Sequence, residues 1–256
     1  MSSGLLSTVR DLARRRARRR RHLTLAEGVR LVEEVLRAGA AIDGIVTAPM
    51  LQGSPRGRAL KDRLAALPAP TVEVPDDELV RLADTEHPQG VIVVVSPPHH
   101  RLEDIVVEPG HPLLVLDGIQ DPGNVGALCR TALGLGAAGM VALPGTADLF
   151  GPKALRGSAG ALFTLPAVRS DVEPLAAWLN RSGVALYVAA ADGRSLTRTD
   201  FGGKRVALAV GNEGGGSHLL PVDDSHRVAI PLAAAVESLN VAVAAGIILH
   251  EVTRGN

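Results

Sequence analysis

The 256-residue chain reads as an α/β protein of two units, the second holding a mostly parallel sheet. Two observations predict this. Short apolar runs rich in valine, such as 91–95 (VIVVV) and 206–210 (VALAV), alternate with longer stretches whose apolar residues recur at helical spacing. That is the pattern of strands buried between helices. The rhythm breaks at Ser96-Pro97-Pro98-His99-His100, because two prolines fit neither a helix nor a central strand. The expected division is a flexible basic arm over 1–22, a small α/β domain over 23–96, a linker over 97–111 and a larger α/β domain over 112–256.

The elements follow in order. Residues 10–21 carry eight arginines and one aspartate, a local charge of +7, while the whole chain is neutral. A dense basic segment on a mildly acidic body suits an anchor for phosphates. A solvated tail that binds nothing specific and an arginine-rich targeting peptide stay open as alternatives. In 23–38 the apolar residues Leu25, Val29, Val32, Val35 and Leu36 predict a helix. A strand at 42–47, a basic amphipathic helix at 55–67, a strand at 71–74, a helix at 76–83 and a buried strand at 91–95 complete the first unit. In the second, strands are expected at 113–116, 140–143, 185–190, 206–210 and 227–230, and helices at 124–135, 152–158, 172–180 and 238–252.

Composition narrows the chemistry. Aromatic residues are 2% of the chain, so the core rests on Ala, Val, Leu and Ile. The single Cys129 excludes an internal disulfide and a cysteine-based zinc cluster, and it fits a reducing compartment. The eight histidines show no ligand spacing, so no metal is expected. No run of eighteen apolar residues exists, so no membrane span is expected, and the expected location is cytoplasmic. Cys129, Trp178 and Tyr187 read as packing residues.

Three stretches carry more. Asn124 to Arg130 (NVGALCR), Gly211 to Gly214 (GNEG) and Ser238-Leu239-Asn240 each sit where a strand-like run gives way to a helix-like one. Such seams are where open α/β sheets bind ligands. By contrast, Gly134 to Gly139 (GLGAAG) matches G-x-G-x-x-G but follows a helix and precedes a strand. That is the reverse of the dinucleotide-binding context, so these glycines read as a helix C-cap and turn. Asn124 and Ser238 each read as helix N-caps, whereas Asn240 is not needed for capping. Arg130 stands among Ala127, Leu128, Cys129, Ala132 and Leu133, so it is expected to be paired structurally or aimed at an anionic ligand.

Together these stretches resemble the signature motifs of the TrmH (SpoU) family of the SPOUT superfamily, S-adenosylmethionine-dependent RNA ribose 2′-O-methyltransferases. The matching elements are N-x-G-x-x-x-R over Asn124 to Arg130, G-N-E-G over Gly211 to Gly214, and I-P-L…S-L-N over Ile230 to Asn240. Lys153 to Ala161 (KALRGSAGA) resembles the family's S-x-G-A segment, and Leu25 to Arg30 (LAEGVR) with Gln89-Gly90-Val91 carries a weaker likeness to its N-terminal domain. The resemblance implies a C-terminal SPOUT α/β trefoil-knot domain, a smaller N-terminal ribosomal-protein-like α/β RNA-binding domain, and a homodimer. It implies that Val210, Gly211, Ile230, Leu232 and Leu239 line the S-adenosyl-L-methionine pocket. Arg130, Asn124, Glu213, Ser238 and Asn240 form the implied catalytic set. Arg14, Arg15, Arg16, Arg18, Arg19, Arg20 and Arg21, with Lys153 and Arg156, are the candidates for gripping RNA.

A guanidinium stays protonated in proteins, so Arg130 is given an electrostatic and positioning role at the target phosphate and 2′-oxygen rather than that of a general base. Ribosomal RNA is the expected substrate, with tRNA next. A resistance-conferring rRNA methylation, and in a different class a catalytically idle RNA-binding assembly factor, are the alternatives.

Overall fold

The structure is a computed structural model and describes residues 2–211, 226–233 and 236–254. Residues up to Pro98 form one compact unit with Phe150–Phe163, and His99–Leu149 form the other with the described residues from Thr164 onward.

The N-terminal segment is not a flexible arm. Ser2–Leu12 (α1) and Arg15–Arg21 (α2) are helices. Leu5, Leu6, Val9 and Leu12 recur at the spacing of one helix face. Val9, Leu12 and Ala17 are buried, and the first two join a core with Leu25, Val46, Leu79 and Ile92. The apolar stripe lies just before the arginine run and is shorter than the charge pattern that follows it.

The first unit's sheet contains β1 (Thr24–Glu27), β2 (Ile42–Thr47), β3 (Thr71–Glu73) and β4 (Val91–Val95) in the order β1-β4-β2-β3. β4 runs antiparallel to β1 and β2, while β3 is parallel to β2. Between them lie α3 (Val29–Arg37), α4 (Pro55–Ala65) and α5 (Asp76–Leu82). The single helix expected over 23–38 is therefore a strand followed by a helix. A strand of only four residues, TLAE, is too short for its spacing to stand apart from a helix. Gly28, at φ 92, makes the break, and Gln89 Oε1 accepts a hydrogen bond from Val29 N at 2.9 Å to start α3. Gly90 (φ 81) lets the backbone pass Leu51, whose nitrogen would lie 2.4 Å from an added Cβ. The Leu25 to Arg30 and Gln89 to Val91 motifs thus have a structural explanation.

The second unit begins earlier than 112. Ile105 and Val107, inside the expected linker, are buried in its core. The chain then runs through β5 (Leu113–Asp117), α6 (Pro122–Gly134) and β6 (Gly139–Ala142). It next enters the first unit as α7 (Pro152–Ser158), where Thr24 Oγ1 donates to Phe150 O at 2.6 Å. The KALRGSAGA segment was expected in the second domain; its contacts place it in the first. Back in the second unit come β7 (Ala167–Arg169), α8 (Val172–Ser182), β8 (Ala185–Ser195), β9 (Val206–Gly211), β10 (Arg227–Ala229) and α9 (Val241–Arg254). β7 is too short to have shown in the pattern.

The six strands form one parallel sheet in the order β10-β8-β9-β5-β6-β7. Alternate residues face one side, as the pleat requires: Leu113, Val115, Val141, Ala207 and Ala209 pack with Leu175 and Trp178 of α8. Cys129 is fully buried, and burial pushes its thiol up to about 12, consistent with a packing residue. α6 ends at Gly134, Gly136 turns at φ 75 and Gly139 opens β6, the helix end and turn expected for this stretch. Among the described residues no helix is long and apolar enough to cross a membrane.

Candidate functional site

From β5 the strand order steps one way through β6 and β7, while the chain later fills the other side with β8, β9 and β10. The reversal falls between β5 and β9. In a parallel sheet, the crevice at the carboxyl ends of such strands is the natural ligand site. Asp117 and Gly211 are paired across those ends. Gly118 (φ 70) follows β5, and an added Cβ on Gly145 (φ 83) would lie 3.4 Å from its Cα. The loops after β5 and β6 therefore meet backbone to backbone, and Thr146 Oγ1, buried, ties the second to Leu116 O at 3.0 Å.

The expected donor-pocket residues occupy different settings. Val210 is buried in β9, so only its backbone is available, whereas Gly211 is half-buried. Ile230 and Leu239 are half-buried, and Leu232 is 39% exposed. β10 pairs with β8 and not β9, so Gly211 and Ile230 do not stand on neighbouring strands. Asn212, Glu213 and Gly214 lie outside the described residues. What these positions offer is peptide backbone and apolar surface without charge. Uncharged surface of this kind suits an organic group such as S-adenosylmethionine and offers no ligands for a metal. Among the described residues no group of three or more His, Cys, Asp or Glu is arranged to hold a metal ion.

The two asparagines exchange their expected roles. α6 begins at Pro122, and its cap is Asp121, whose Oδ1 accepts from Asn124 N at 2.9 Å. Proline at the first helical position and aspartate before it suit that start. Asn124 is therefore not the cap. α9 begins at Val241, and Asn240 Oδ1 accepts from Ala242 N at 3.0 Å, which makes Asn240 the cap. Ser238, expected to cap, is exposed ahead of the helix. Asn240 Nδ2 also donates to Asn124 Oδ1 at 3.1 Å, so the two motifs are joined side chain to side chain.

Of the two settings expected for Arg130, structural pairing is not seen among the described residues. Leu128, Cys129 and Ala132 around it are buried, but Arg130 itself is exposed. Successive residues turn by ~100° around a helix, which carries it off the buried face. Its side chain makes no hydrogen bond or ion pair with any of the described residues.

α6 and α9 pack together, and an added Cβ on Gly246 would lie 3.2 Å from Thr131 Cγ2. Along their outer side runs a shallow groove of about 620 Å³. Val243 and Ile247, 52% and 39% exposed, give it an apolar floor. Sequence reading had missed this surface, although the nearly all-apolar run 241–249 was its signal.

The basic residues divide into two groups. Arg14, Arg15, Arg16 and Arg19 are exposed and pair with none of the described residues. Arg18 Nη1 donates to Leu12 O and Ala13 O, both at 3.0 Å. Arg20 and Arg21 bind Asp11 at 3.1 and 2.9 Å. The hydrogen bond from Arg21, aided by the charges of Arg20 and Arg14, holds the Asp11 carboxyl below its ordinary value. Lys153 is exposed on α7, while Arg156 Nη1 lies 2.7 Å from Asp84 Oδ2, an ion pair by distance without hydrogen-bond geometry.

Residues 111–250 match the model of the SpoU rRNA Methylase family. The chain belongs to that family. As a SpoU-family chain it carries a second match, at residues 6–93, to an MRM3-like substrate binding domain, a span that takes in most of α1 and all of α2. It is 33% identical to an uncharacterized tRNA/rRNA methyltransferase of Synechocystis, over 98% of this chain and 90% of that one. It is 31% identical to the 23S rRNA (guanosine(2553)-2′-O)-methyltransferase RlmP of Bacillus subtilis, over 94% and 92%. Among solved structures it resembles an AdoMet-bound rRNA methyltransferase from Sinorhizobium meliloti, with TM-score 0.86 and 28% identity over 99% and 95% of the chains. It also resembles AviRb from Streptomyces viridochromogenes in complex with AdoMet, with TM-score 0.85 and 29% identity over 97% and 96%.

Proposed function

We propose that this SpoU-family enzyme transfers a methyl group from S-adenosyl-L-methionine to a ribose 2′-hydroxyl of ribosomal RNA. The observation that carries the reading is the presence, in one chain, of the family's methyltransferase region and a substrate-binding region with four outward arginines. The donor supplies an electrophilic methyl on sulfur. The backbone of Val210 and Gly211, with Ile230, Leu232 and Leu239, would hold the donor. Arg130 neutralises the phosphate beside the target ribose and positions the 2′-oxygen. Alignment of this kind lowers barriers by up to ~7–11 kcal/mol. The Asn124–Asn240 bond fixes the start of α6 against the start of α9, and Glu213 and Ser238 complete the polar set.

Arg14, Arg15, Arg16 and Arg19 grip RNA phosphates, with Lys153 and Arg156 nearby in the same unit. Arg18, Arg20 and Arg21 shape the helix that carries them. A separate substrate-binding domain suits a structured RNA, and relatives named as 23S rRNA methyltransferases support rRNA over tRNA. The same reading includes a trefoil knot in the second unit, a ribosomal-protein-like first unit, a cytoplasmic location and a homodimer closed through the apolar α6–α9 groove.

Incubation with labelled donor and separate rRNA and tRNA pools tests the proposal. Label in rRNA is expected. Label in tRNA alone would reassign the substrate, and donor binding without transfer to either pool would favour an idle RNA-binding factor.

A further inference from the structure

The first unit holds a cavity of about 230 Å³ lined by its own residues alone. Its walls are apolar: Leu25, Leu31 and Ile92 are all buried. Among them lies Glu27, 9% exposed. Its carboxylate accepts from Asp84 N at 2.7 Å and from the Thr85 hydroxyl. A carboxylate has about four acceptor positions, so acceptor capacity remains. Three guanidiniums, of Arg10, Arg81 and Arg156, also line the cavity. Each already faces a carboxylate: Glu78 at 3.0 Å, Asp77 at 2.5 Å and Asp84 at 2.7 Å. Those pairs cancel, and the charge left over is the negative one on Glu27.

The balance argues against a phosphate and for a neutral group rich in hydrogen-bond donors. The volume lies below the ~300–1,000 Å³ typical of pockets for drug-sized ligands, so it suits one planar ring system. Among the described residues the cavity has no aromatic lining, but guanidinium planes held by ion pairs stack on bases in the same way. Guanine presents two adjacent donors, N1–H and N2–H₂, whereas uracil presents one donor flanked by two carbonyl acceptors that a carboxylate repels.

We propose that this cavity binds a single unstacked guanine, with Glu27 accepting from its N1–H and N2–H₂ edge between the apolar wall and the rim guanidiniums. The proposal rests on the RNA reading above only for the source of the base, a nucleotide of the substrate RNA.

Methyl NMR of the full-length protein tests it, titrated in turn with GMP, UMP, inorganic phosphate and two five-nucleotide RNAs that differ by one guanine-to-uridine change. GMP should shift the methyls of Leu25, Leu31 and Ile92 and bind at least tenfold more tightly than UMP, with phosphate leaving those methyls unmoved. Glu27→Gln should weaken GMP at least tenfold. Ala13→Trp, a change at an exposed lining position, should block entry while leaving S-adenosylmethionine binding intact, and serves if the first variant fails to fold. Equal binding of GMP and UMP, shifts with phosphate alone, or GMP binding unchanged in the folded variants would overturn the site. Shifts with the guanine RNA support an RNA source; shifts with GMP but not that RNA overturn that source. Loss of methyl transfer with GMP binding intact would count against the methyltransferase reading and not against the cavity.

Discussion

At α2 the first unit sets exposed guanidiniums on a short helix whose Ala17 is buried, next to α1, whose apolar face lies in the core. At the ends of β5 and β9 the second unit offers glycines, peptide backbone and the buried Asp117, with the exposed Arg130 on the helix that follows β5. The contrast separates two kinds of work. Charge on a helix attracts any polyanion and weakens with salt. On the proposed reading, the strand-end crevice and Arg130 contribute little to affinity and act by placing groups for reaction. Changes in the first region should therefore alter binding and its salt dependence, and changes in the second should alter transfer at fixed binding.

The largest effect is expected from Arg130→Ala. Loss of one positioned donor in a reacting centre typically lowers turnover by about 10²–10³-fold, so single-turnover transfer should fall by that order while calorimetry shows donor binding retained. Unchanged turnover would remove Arg130 from the site. Next is joint replacement of Arg14, Arg15, Arg16 and Arg19 by alanine. With ~0.7–0.9 counterions released per phosphate contact, the slope of log affinity against log salt should become shallower by about three, with donor binding unchanged. An unaltered slope would show that these side chains do not meet phosphate. Deleting 1–21 is a poorer test, because it strips Val9 and Leu12 from the core.

How much of this was legible before the coordinates depended on length and pattern. The buried strands at 91–95 and 206–210 were plain, since each is a continuous apolar run of strand length bounded by turn residues. β1 was hidden inside a helical spacing, and only the positive φ of Gly28 reveals the break. α1 was overlooked beside its arginines. The motif residues were legible by position but not by role: Asn240 was thought superfluous for capping and is the cap, while Asn124 was thought to cap and does not. Helix starts shift by a residue or two according to competing caps, and sequence alone does not decide between Asp121 and Asn124, or between Ser238 and Asn240. Crossing of α7 into the first unit is a tertiary fact with no local signal.

A smaller effect follows from that cap exchange. Asn240→Ala should lower stability by about 1 kcal/mol, the typical worth of an N-cap, whereas Asn124→Ala should lower it less, as read by denaturant unfolding. The reverse order would restore the capping roles inferred from sequence. Smallest is the Asp11 pair. Because Arg21 and its neighbours lower the folded-state value of this carboxyl, its contribution is present above the ordinary value of 3.8 and lost as the pH falls through the lowered one. Local exchange protection in α1 and α2 should weaken in that acidic window. Asp11→Asn should abolish the pH dependence, and it should also release Arg20 and Arg21 and steepen the salt slope for RNA.

The chemical identity of the product tests the central claim most directly. Ribosomal RNA incubated with methyl-labelled donor and the full-length protein is hydrolysed in alkali, and the products are separated. A 2′-O-methyl group blocks cleavage at its own linkage, so the expected result is label confined to an alkali-resistant dinucleotide whose nucleoside is a 2′-O-methylribose form. Label released as a base-methylated mononucleotide, or absent from RNA while the protein binds donor, would contradict it.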